Sequence, residues 1–135
     1  MNPAAVDAAA VDAAVGVAAV GVAVPDELAG DHPPADAPAP PPSATLVAAG
    51  ELLRALAAPV RIAVVLQLRS SPRCVHELVD ALEVTQPLIS QHLRVLKAAG
   101  VVRGEHRGRE VVYRLVDDHL AHIVVDAVEH AEEDA

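Results

Sequence analysis

The C-terminal segment of the chain concentrates imidazole and carboxylate side chains, which zinc, nickel and cobalt accept as ligands in proteins. If this segment is helical, six of these side chains fall within an arc of about 100°. They are His119, His122, Asp126, Glu129, His130 and Glu133. The neighbouring arc is apolar. The pattern predicts a last helix that packs through its apolar side and presents metal ligands along its flank.

The spacing of the two outer histidines limits how they can bind metal. His119 and His130 are 11 residues apart, which corresponds to about 16 Å along a helix. Zinc–nitrogen bonds measure about 2.0–2.1 Å, so these imidazoles cannot share an ion within one chain. Two antiparallel copies of the helix, packed through their apolar arcs, would bring His119 of one chain beside His130 of the other.

Two carboxylates complete this arrangement. Asp117, at the helix cap, can turn toward His119, and Glu133 lies one turn beyond His130. The sequence therefore predicts two symmetric metal sites per dimer, each built from both chains. The predicted ligands are Asp117, His119, His130 and Glu133.

Two further groups of ligands remain open. His122 and Asp126, one turn apart, could form a rival pair within one chain or orient the interfacial ligands. A candidate second site lies at Cys74 and Glu77, with His76 between them. The alternative for Cys74, which we favour, is a buried residue that behaves as a small apolar side chain.

A short helix, a tight turn and a second helix lie in the middle of the chain, an order typical of a helix-turn-helix. The first helix is predicted over 74–82, and the second runs from Gln86 to 99 and stops at Gly100. The residues predicted to face solvent from the second helix and its N-cap carry groups that can bond to base edges or phosphates. They are Thr85, Gln86, Ser90, Gln91, His92 and Arg94.

The segment after Gly100 predicts a β-hairpin with a polar, basic turn. Val101 and Val102 begin the hairpin, residues 103–109 form the turn, and residues 111–115 return. A thin basic wing of this kind can lie along a phosphate backbone or enter a minor groove. The basic residues assigned to this role are Arg103, Arg107 and Arg109.

The remaining periodicity is helical, so the predicted fold is mostly α with one small hairpin. Apolar residues at three-to-four spacing predict helices over 44–56 and 59–69. A last helix is predicted from Asp117 or Asp118 to about Glu132. The proline-rich residues 33–42 cannot hold a helix. We therefore expect a disordered tail at 1–42 and one domain at 43–135.

Charge divides unevenly along the chain. The net charge of −9 by itself disfavours a nucleic-acid partner. Residues 54–114, however, hold all ten Lys and Arg residues against five acids. A basic segment followed by an acidic end indicates a DNA-binding element with a separate sensing element.

Several other classes of protein are disfavoured. The Ala- and Val-rich stretch 4–24 contains Asp7 and Asp12 and has no Lys or Arg before it, so we expect neither a signal peptide nor a membrane span. The sequence contains neither a Gly-rich phosphate loop nor a His-Glu-x-x-His motif. It therefore predicts neither an enzyme nor a small-molecule substrate. A single cysteine cannot form an internal disulfide, and a free thiol suits the cytoplasm.

Four stretches of the domain resemble the ArsR/SmtB family of metal-responsive winged-helix repressors. They are LAAPVR at 56–61, VTQPLISQHL at 84–93, LKAAGVV at 96–102 and GREVVY at 108–113. The resemblance covers residues 50–133 and is greatest to the mycobacterial-type zinc sensors. It implies a winged helix-turn-helix homodimer that binds a palindromic operator and leaves it when zinc binds. The four predicted ligands agree with the family pattern Asp-x-His, ten residues, His-x-x-Glu.

The resemblance leaves alternatives for the sensing chemistry. Family members that sense thiophilic metals use two cysteines near the position of Cys74, with further ligands from an N-terminal arm. This chain has one cysteine there, and its arm offers only His32. A nickel or cobalt sensor, or a regulator of the same fold that responds to redox state through Cys74, remains an alternative.

Overall fold

A computed structural model describes residues 36–134, and the predicted tail up to residue 35 lies outside this range. The described part contains five helices and three short strands, numbered here in chain order. They are α1 (Ser43–Leu56), α2 (Pro59–Ser70), β1 (Arg73–Cys74), α3 (Val75–Leu82), α4 (Gln86–Ala98), β2 (Val102–Arg107), β3 (Glu110–Leu115) and α5 (Asp118–Glu133). The predicted winged helix-turn-helix is confirmed, with most helix ends within one residue of expectation.

Local chemistry accounts for the helix boundaries around the helix-turn-helix. Pro59 is the first residue of α2, where its missing N–H leaves no hydrogen bond unmade. Gly100, with φ of 75°, follows the end of α4 in the left-handed conformation that glycine tolerates. Glu83 adopts φ of 54° at the end of α3, so the turn between α3 and α4 is tight even though it contains no glycine.

The core is aliphatic and lies where α2, α3 and α4 meet the sheet and α5. Its largest fully buried side chains are Val64, Val65, Leu78, Ile89, Leu93, Leu96, Val101 and Val102. Three of these, Ile89, Leu93 and Leu96, belong to α4. The buried face of α4 therefore fixes the helix that the sequence assigned to DNA reading.

The three strands form an antiparallel sheet in the order β1-β3-β2. β2 and β3 pair from Val102 opposite Leu115 to Arg107 opposite Glu110. The predicted seven-residue turn is therefore wrong, because most of it is paired strand and only residues 108–109 connect the strands. Gly108 takes φ of 63° at this connection.

The sheet has a third strand that the sequence did not predict. β1 has only two residues, and it pairs Arg73 with Tyr113 and Cys74 with Val112. A strand this short carries no alternating pattern, so only the tertiary fold reveals it. Its consequence is that the start of α3 lies directly beside the wing.

The apolar arc of α5 packs differently from our expectation. Leu120, Ala121 and Val124 are buried within the protomer, and α5 contacts α2 and β3. Leu120 and Val124 of this arc are therefore covered within the protomer, whereas Ala127 and Ala131 remain exposed. Ile123 and Val128 are only partly buried and remain at its edge.

Exposed apolar residues lie instead on α1. Leu46, Val47 and Leu53 are 53%, 59% and 54% exposed. Between residues 36 and 134, none of the helices has both the length and the apolar character needed to cross a bilayer.

Candidate nucleic-acid interface and metal centre

The exposed side of α4 presents most of the polar residues that the sequence assigned to DNA. Gln86, Gln91 and Arg94 are exposed, and Ser90 is partly buried. Thr85 is the N-cap of α4 and is exposed, but its side chain makes no capping hydrogen bond. Its hydroxyl is therefore available to form a hydrogen bond with a ligand.

His92 is the exception, because it is 7% exposed and faces inward. Its Nδ1 lies 3.3 Å from Arg61 Nη1, and the Nε of Arg61 donates a hydrogen bond of 2.6 Å to the carbonyl oxygen of Ala55. The prediction that His92 is exposed is therefore wrong. Its position three residues after Ile89 and four before Leu96 places it on the buried face, a signal that the sequence already carried.

The Arg61–His92 pair links three elements. Ala55 lies near the end of α1, Arg61 in α2 and His92 in the middle of α4. A buried guanidinium that satisfies a backbone carbonyl and contacts a histidine fixes the three helices relative to one another. The pair therefore holds α4 against α1 and α2.

The wing displays its arginines outward. Arg103, Arg107 and Arg109 are exposed. Arg103 Nε lies 3.9 Å from Glu105 Oε1, whereas neither Arg107 nor Arg109 forms a salt bridge with any residue in the described range. The two guanidinium groups at the wing tip are therefore free to contact phosphates.

Tyr113, the single aromatic residue, lies against the base of the wing. A Cβ built on Gly104 would be 2.8 Å from Val111 Cγ1 and 3.2 Å from Tyr113 Cε1. Any larger residue at position 104 would displace these side chains. Gly104 therefore keeps β2 and β3 closely packed, and with them the position of the wing tip.

The predicted metal ligands at the start of α5 are already paired within one chain. Asp117 Oδ1 lies 2.9 Å from His119 Nδ1, and the two side chains are 56% and 71% exposed. Asp117 is the N-cap of α5 in an extended conformation, yet its carboxylate makes no capping hydrogen bond. The carboxylate is thus turned toward His119, as the sequence predicted.

A second pair lies at the other end of the same helix. His130 Nδ1 lies 4.0 Å from Glu133 Oε2, and both side chains are more than three-quarters exposed. His130 Nε2 also lies 3.8 Å from Asp134 Oδ2, a neighbour that the sequence analysis did not consider. His122 and Asp126 are exposed between the two pairs, and no salt bridge joins them in the part of the chain that the structure describes.

Cys74 is 4% exposed and is the N-cap of α3, not its first residue. Oε1 of Glu77 accepts a 3.1 Å hydrogen bond from the Cys74 amide and a 2.9 Å hydrogen bond from its thiol. The amide bond and the contact from the Glu77 backbone N–H to the Cys74 side chain form a capping box. Burial, together with the Glu77 carboxylate, raises the pKa of the Cys74 thiol. The same thiol and amide hydrogen bonds lower the pKa of Glu77.

Cys74 also has neighbours outside the predicted pair. Its Sγ lies 3.1 Å from Nδ1 of His76, and that nitrogen lies 3.4 Å from Oε1 of Glu110 at the start of β3. The three ligand atoms lie within 4.8 Å of one another. Glu110 was missed by the sequence analysis because the contact depends on the pairing of β1 with β3.

The sequence also matches known bacterial regulators. The profile described as "Bacterial regulatory protein, arsR family" matches residues 58–103, from just before α2 into β2. The chain is 71% identical over 117 residues to the "HTH-type transcriptional repressor SmtB" of Mycobacterium tuberculosis strain H37Rv, covering 82% of this chain and 87% of that relative.

Two solved structures are also similar. The solution structure of apo-NmtR is 36% identical, covers 77% of this chain and 87% of that chain, and gives a TM-score of 0.57. A homodimeric winged helix-turn-helix DNA-binding domain from Mycobacterium bovis shares the fold at 24% identity, with a TM-score of 0.62, over 68% of this chain and 85% of that domain.

Proposed function

This chain belongs to the ArsR family of bacterial regulatory proteins, and on that premise we propose that it is a metal-responsive transcriptional repressor. The proposed dimer binds operator DNA without metal and leaves it when zinc binds between the two copies of α5. The family consists of DNA-binding regulators, so the chain is a regulator and not an enzyme.

The observation that carries the metal assignment is the pairing of ligands at both ends of α5. Asp117 with His119, and His130 with Glu133, each offer one imidazole and one carboxylate on an exposed surface. Each pair supplies half of a four-coordinate site. An antiparallel second copy would supply the other half, which gives two sites per dimer.

The apolar surface of α1 supports the dimer. Leu46, Val47 and Leu53 lie on one helix and are each more than half exposed. Exposed apolar patches of this kind mark protein–protein contacts. We infer that α1 supplies most of the apolar contact between protomers, and that the edge of α5 near Ile123 and Val128 joins it.

The proposed DNA contacts divide by role. Gln86, Gln91 and Arg94 on α4 would read base edges in the major groove, with Thr85 and Ser90 beside them. Arg107 and Arg109 at the wing tip would bind phosphates. Arg103, which lies beside Glu105, would also bind phosphate. We expect the protein to act in the cytoplasm, where operator DNA is available.

The proposed coupling between metal and DNA is geometric. Zinc bound across two copies of α5 would fix their relative position, and with it the separation of the two reading helices. That separation must match about 34 Å, one turn of duplex. Metal shifts the equilibrium only by binding the DNA-free dimer more tightly, and such coupling is typically about 1–3 kcal/mol.

The donor set leaves zinc, nickel and cobalt as candidates, with zinc first because four imidazole and carboxylate ligands suit its tetrahedral preference. A redox response through Cys74 is less well supported. The thiol is buried and its pKa is raised, whereas reactive cysteines are accessible and have a lowered pKa.

The test first uses metal-free protein to select a binding sequence from a random pool of DNA. Each metal is then titrated into the complex of protein with that DNA at fixed salt. We expect zinc to weaken binding by about 5- to 150-fold. His119→Ala and His130→Ala should bind DNA normally without releasing it. His122→Ala is the matched control and should respond as the unmodified protein does. Release that depends on His122 but not on His119 or His130 would contradict the proposal.

A further inference from the structure

A cavity lies between α1, the start of α2 and the C-terminal half of α4. It measures about 390 Å³, within the range of about 300–1,000 Å³ that is usual for sites of small organic molecules. Its lining combines charged and small apolar residues, and includes Glu51, Arg54, Ala55, Arg61, Val95 and Ala98. None of these residues belongs to the proposed DNA contacts or to the proposed metal ligands.

Arg54 supplies the observation that points to a ligand. Its Nε atom is buried and has no hydrogen-bond partner in the described part of the chain. A buried N–H without an acceptor destabilises a fold unless a ligand or water completes it. Arg54 therefore has a donor that a molecule in the cavity can satisfy.

The charges around the cavity favour an anion. Two guanidinium groups, those of Arg54 and Arg61, line it together with the single carboxylate of Glu51, so positive charge is in excess by one. Arg61 is buried and donates from its Nε to the carbonyl oxygen of Ala55, which holds its charge in place. A guanidinium binds a carboxylate through two parallel N–H···O bonds, and this geometry makes a carboxylate the best match for Arg54.

The rest of the lining is apolar and small. Ala55 is buried, Val95 is 36% exposed, and Ala98 offers only a methyl group. An apolar body next to the charged group of a ligand would cover these side chains and remove their surface from water. We propose that the cavity binds a small organic monocarboxylate, with its carboxylate on Arg54 and its apolar body against Val95 and Ala98.

The cavity stays accessible in the proposed dimer. At about 100° per residue, Glu51 lies about 140° around α1 from Leu46 and about 160° from Leu53. The cavity side of α1 therefore faces away from the apolar contact proposed between protomers. Val95 lies one turn after Gln91 on α4. A ligand held between α1 and Val95 would thus rest against the reading helix, which makes it a candidate for a second effector.

The experiment uses the metal-free full chain and the probe para-fluorobenzoate, followed by fluorine NMR. The neutral amide, para-fluorobenzamide, is the matched ligand control. We expect saturable binding of about one carboxylate per chain, at least about 10-fold tighter than that of the amide, because only the carboxylate forms charge-assisted hydrogen bonds. Neither metal nor DNA is present, so failure here and failure of the proposed repressor function are distinguishable.

Three charge variants locate the site. Arg54→Gln should weaken binding of the carboxylate by at least about 10-fold. Glu51→Gln removes a like charge from the lining and should strengthen binding by about 2- to 5-fold. Arg69→Gln is the matched control, because it removes an exposed arginine from the last turn of α2, outside the cavity, and it should leave the affinity unchanged.

A fourth variant tests the location without a change of charge. Ala98→Leu fills the cavity from α4 with a residue that favours helix, so it should abolish binding while the fold survives. Circular dichroism of each variant establishes that it is folded.

Three results would overturn the proposal. The first is the absence of binding at millimolar para-fluorobenzoate, and the second is equal affinity for the carboxylate and the amide. The third is an equal loss of affinity in Arg54→Gln and Arg69→Gln, which would reflect the net charge of the protein and not the cavity.

Discussion

The two histidine-containing clusters of this protein differ in what a single chain supplies. The predicted ligands on α5 form two pairs at opposite ends of one helix, and in the proposed dimer a second copy completes each pair. The donor atoms around Cys74 come from β1, α3 and β3 of the same chain and lie within 4.8 Å of one another. The first cluster therefore needs a second copy for its proposed function, whereas the fold of one chain holds the second cluster together.

The clusters also differ in how their groups are used in the metal-free protein. Asp117 and His119 contact each other and solvent, and the carboxylate caps nothing. Cys74 is buried, and it caps α3 together with Glu77. Binding at α5 requires little desolvation, whereas binding at Cys74 must break an existing hydrogen bond. We therefore expect tighter zinc binding at α5.

The largest expected effect is on the number of tightly bound zinc ions, and it tests whether the two chains share the α5 ligands. A dimer that combines one His119→Ala chain with one His130→Ala chain should have one intact site and one site without either histidine. Each homodimeric variant should have two damaged sites. Calorimetry should find one tight zinc per mixed dimer, two per unmodified dimer and none in either homodimer.

The mixed dimer needs a control for subunit exchange. Different affinity tags on the two chains allow purification of the mixed species alone, and a mixed dimer of His122→Ala with unmodified chain should keep both sites. A mixed dimer with no tight zinc would contradict the sharing of ligands between chains. Two tight zincs in the mixed dimer and in both homodimers would show that His119 and His130 are not ligands, and the His122 and Asp126 pair would then become the leading candidate.

A second large effect should follow from separating the two protomers. Leu53→Asp places a charge on the exposed apolar face of α1, where Leu53 is 54% exposed, so the fold should survive. Ultracentrifugation should detect monomers. These monomers should lose tight zinc binding at α5. Monomers that kept tight zinc would show that one chain alone completes the sites.

The difference between the clusters also shows what sequence can predict. The pairing of Asp117 with His119 follows from local helix geometry, so spacing alone was sufficient. The contact between His76 and Glu110 joins residues 34 positions apart in the sequence. It depends on β1, a two-residue strand with no pattern of its own. Short-range periodicity predicts the first contact and carries no information on the second.

The same distinction explains the errors in the fold. Polar residues at 103–107 predict a loop that is too long, because cross-strand pairing with β3 holds these residues in a strand. The polar chemistry of His92 predicts a place among the DNA-reading residues. Its position on the face with Ile89 and Leu96 outweighs that chemistry, and Arg61 supplies the polar contact that burial requires.

A smaller expected effect concerns DNA binding next to each cluster. The α5 ligands lie away from the proposed DNA surface, so His119→Ala should leave metal-free affinity unchanged. Arg107→Ala should weaken binding to all sequences and reduce the slope of log affinity against log salt by about 1. Gln91→Ala should reduce discrimination between operator and random DNA by about 1–3 kcal/mol. Equal effects of Arg107→Ala and Gln91→Ala on operator and random DNA would contradict the division between wing and reading helix.

The smallest expected effect is on the stability of the metal-free protein, and it separates the carboxylates at the starts of α3 and α5. Glu77→Ala removes the acceptor of both Cys74 hydrogen bonds and leaves the start of α3 without its capping box, so it should lower the midpoint of urea unfolding. Asp117→Ala removes a carboxylate that caps nothing and should leave the midpoint unchanged. Glu77→Gln keeps a carbonyl acceptor and should lie between them. If Asp117→Ala were the more destabilising change, Asp117 would support the fold of α5, and its assignment as a free metal ligand would lose its basis.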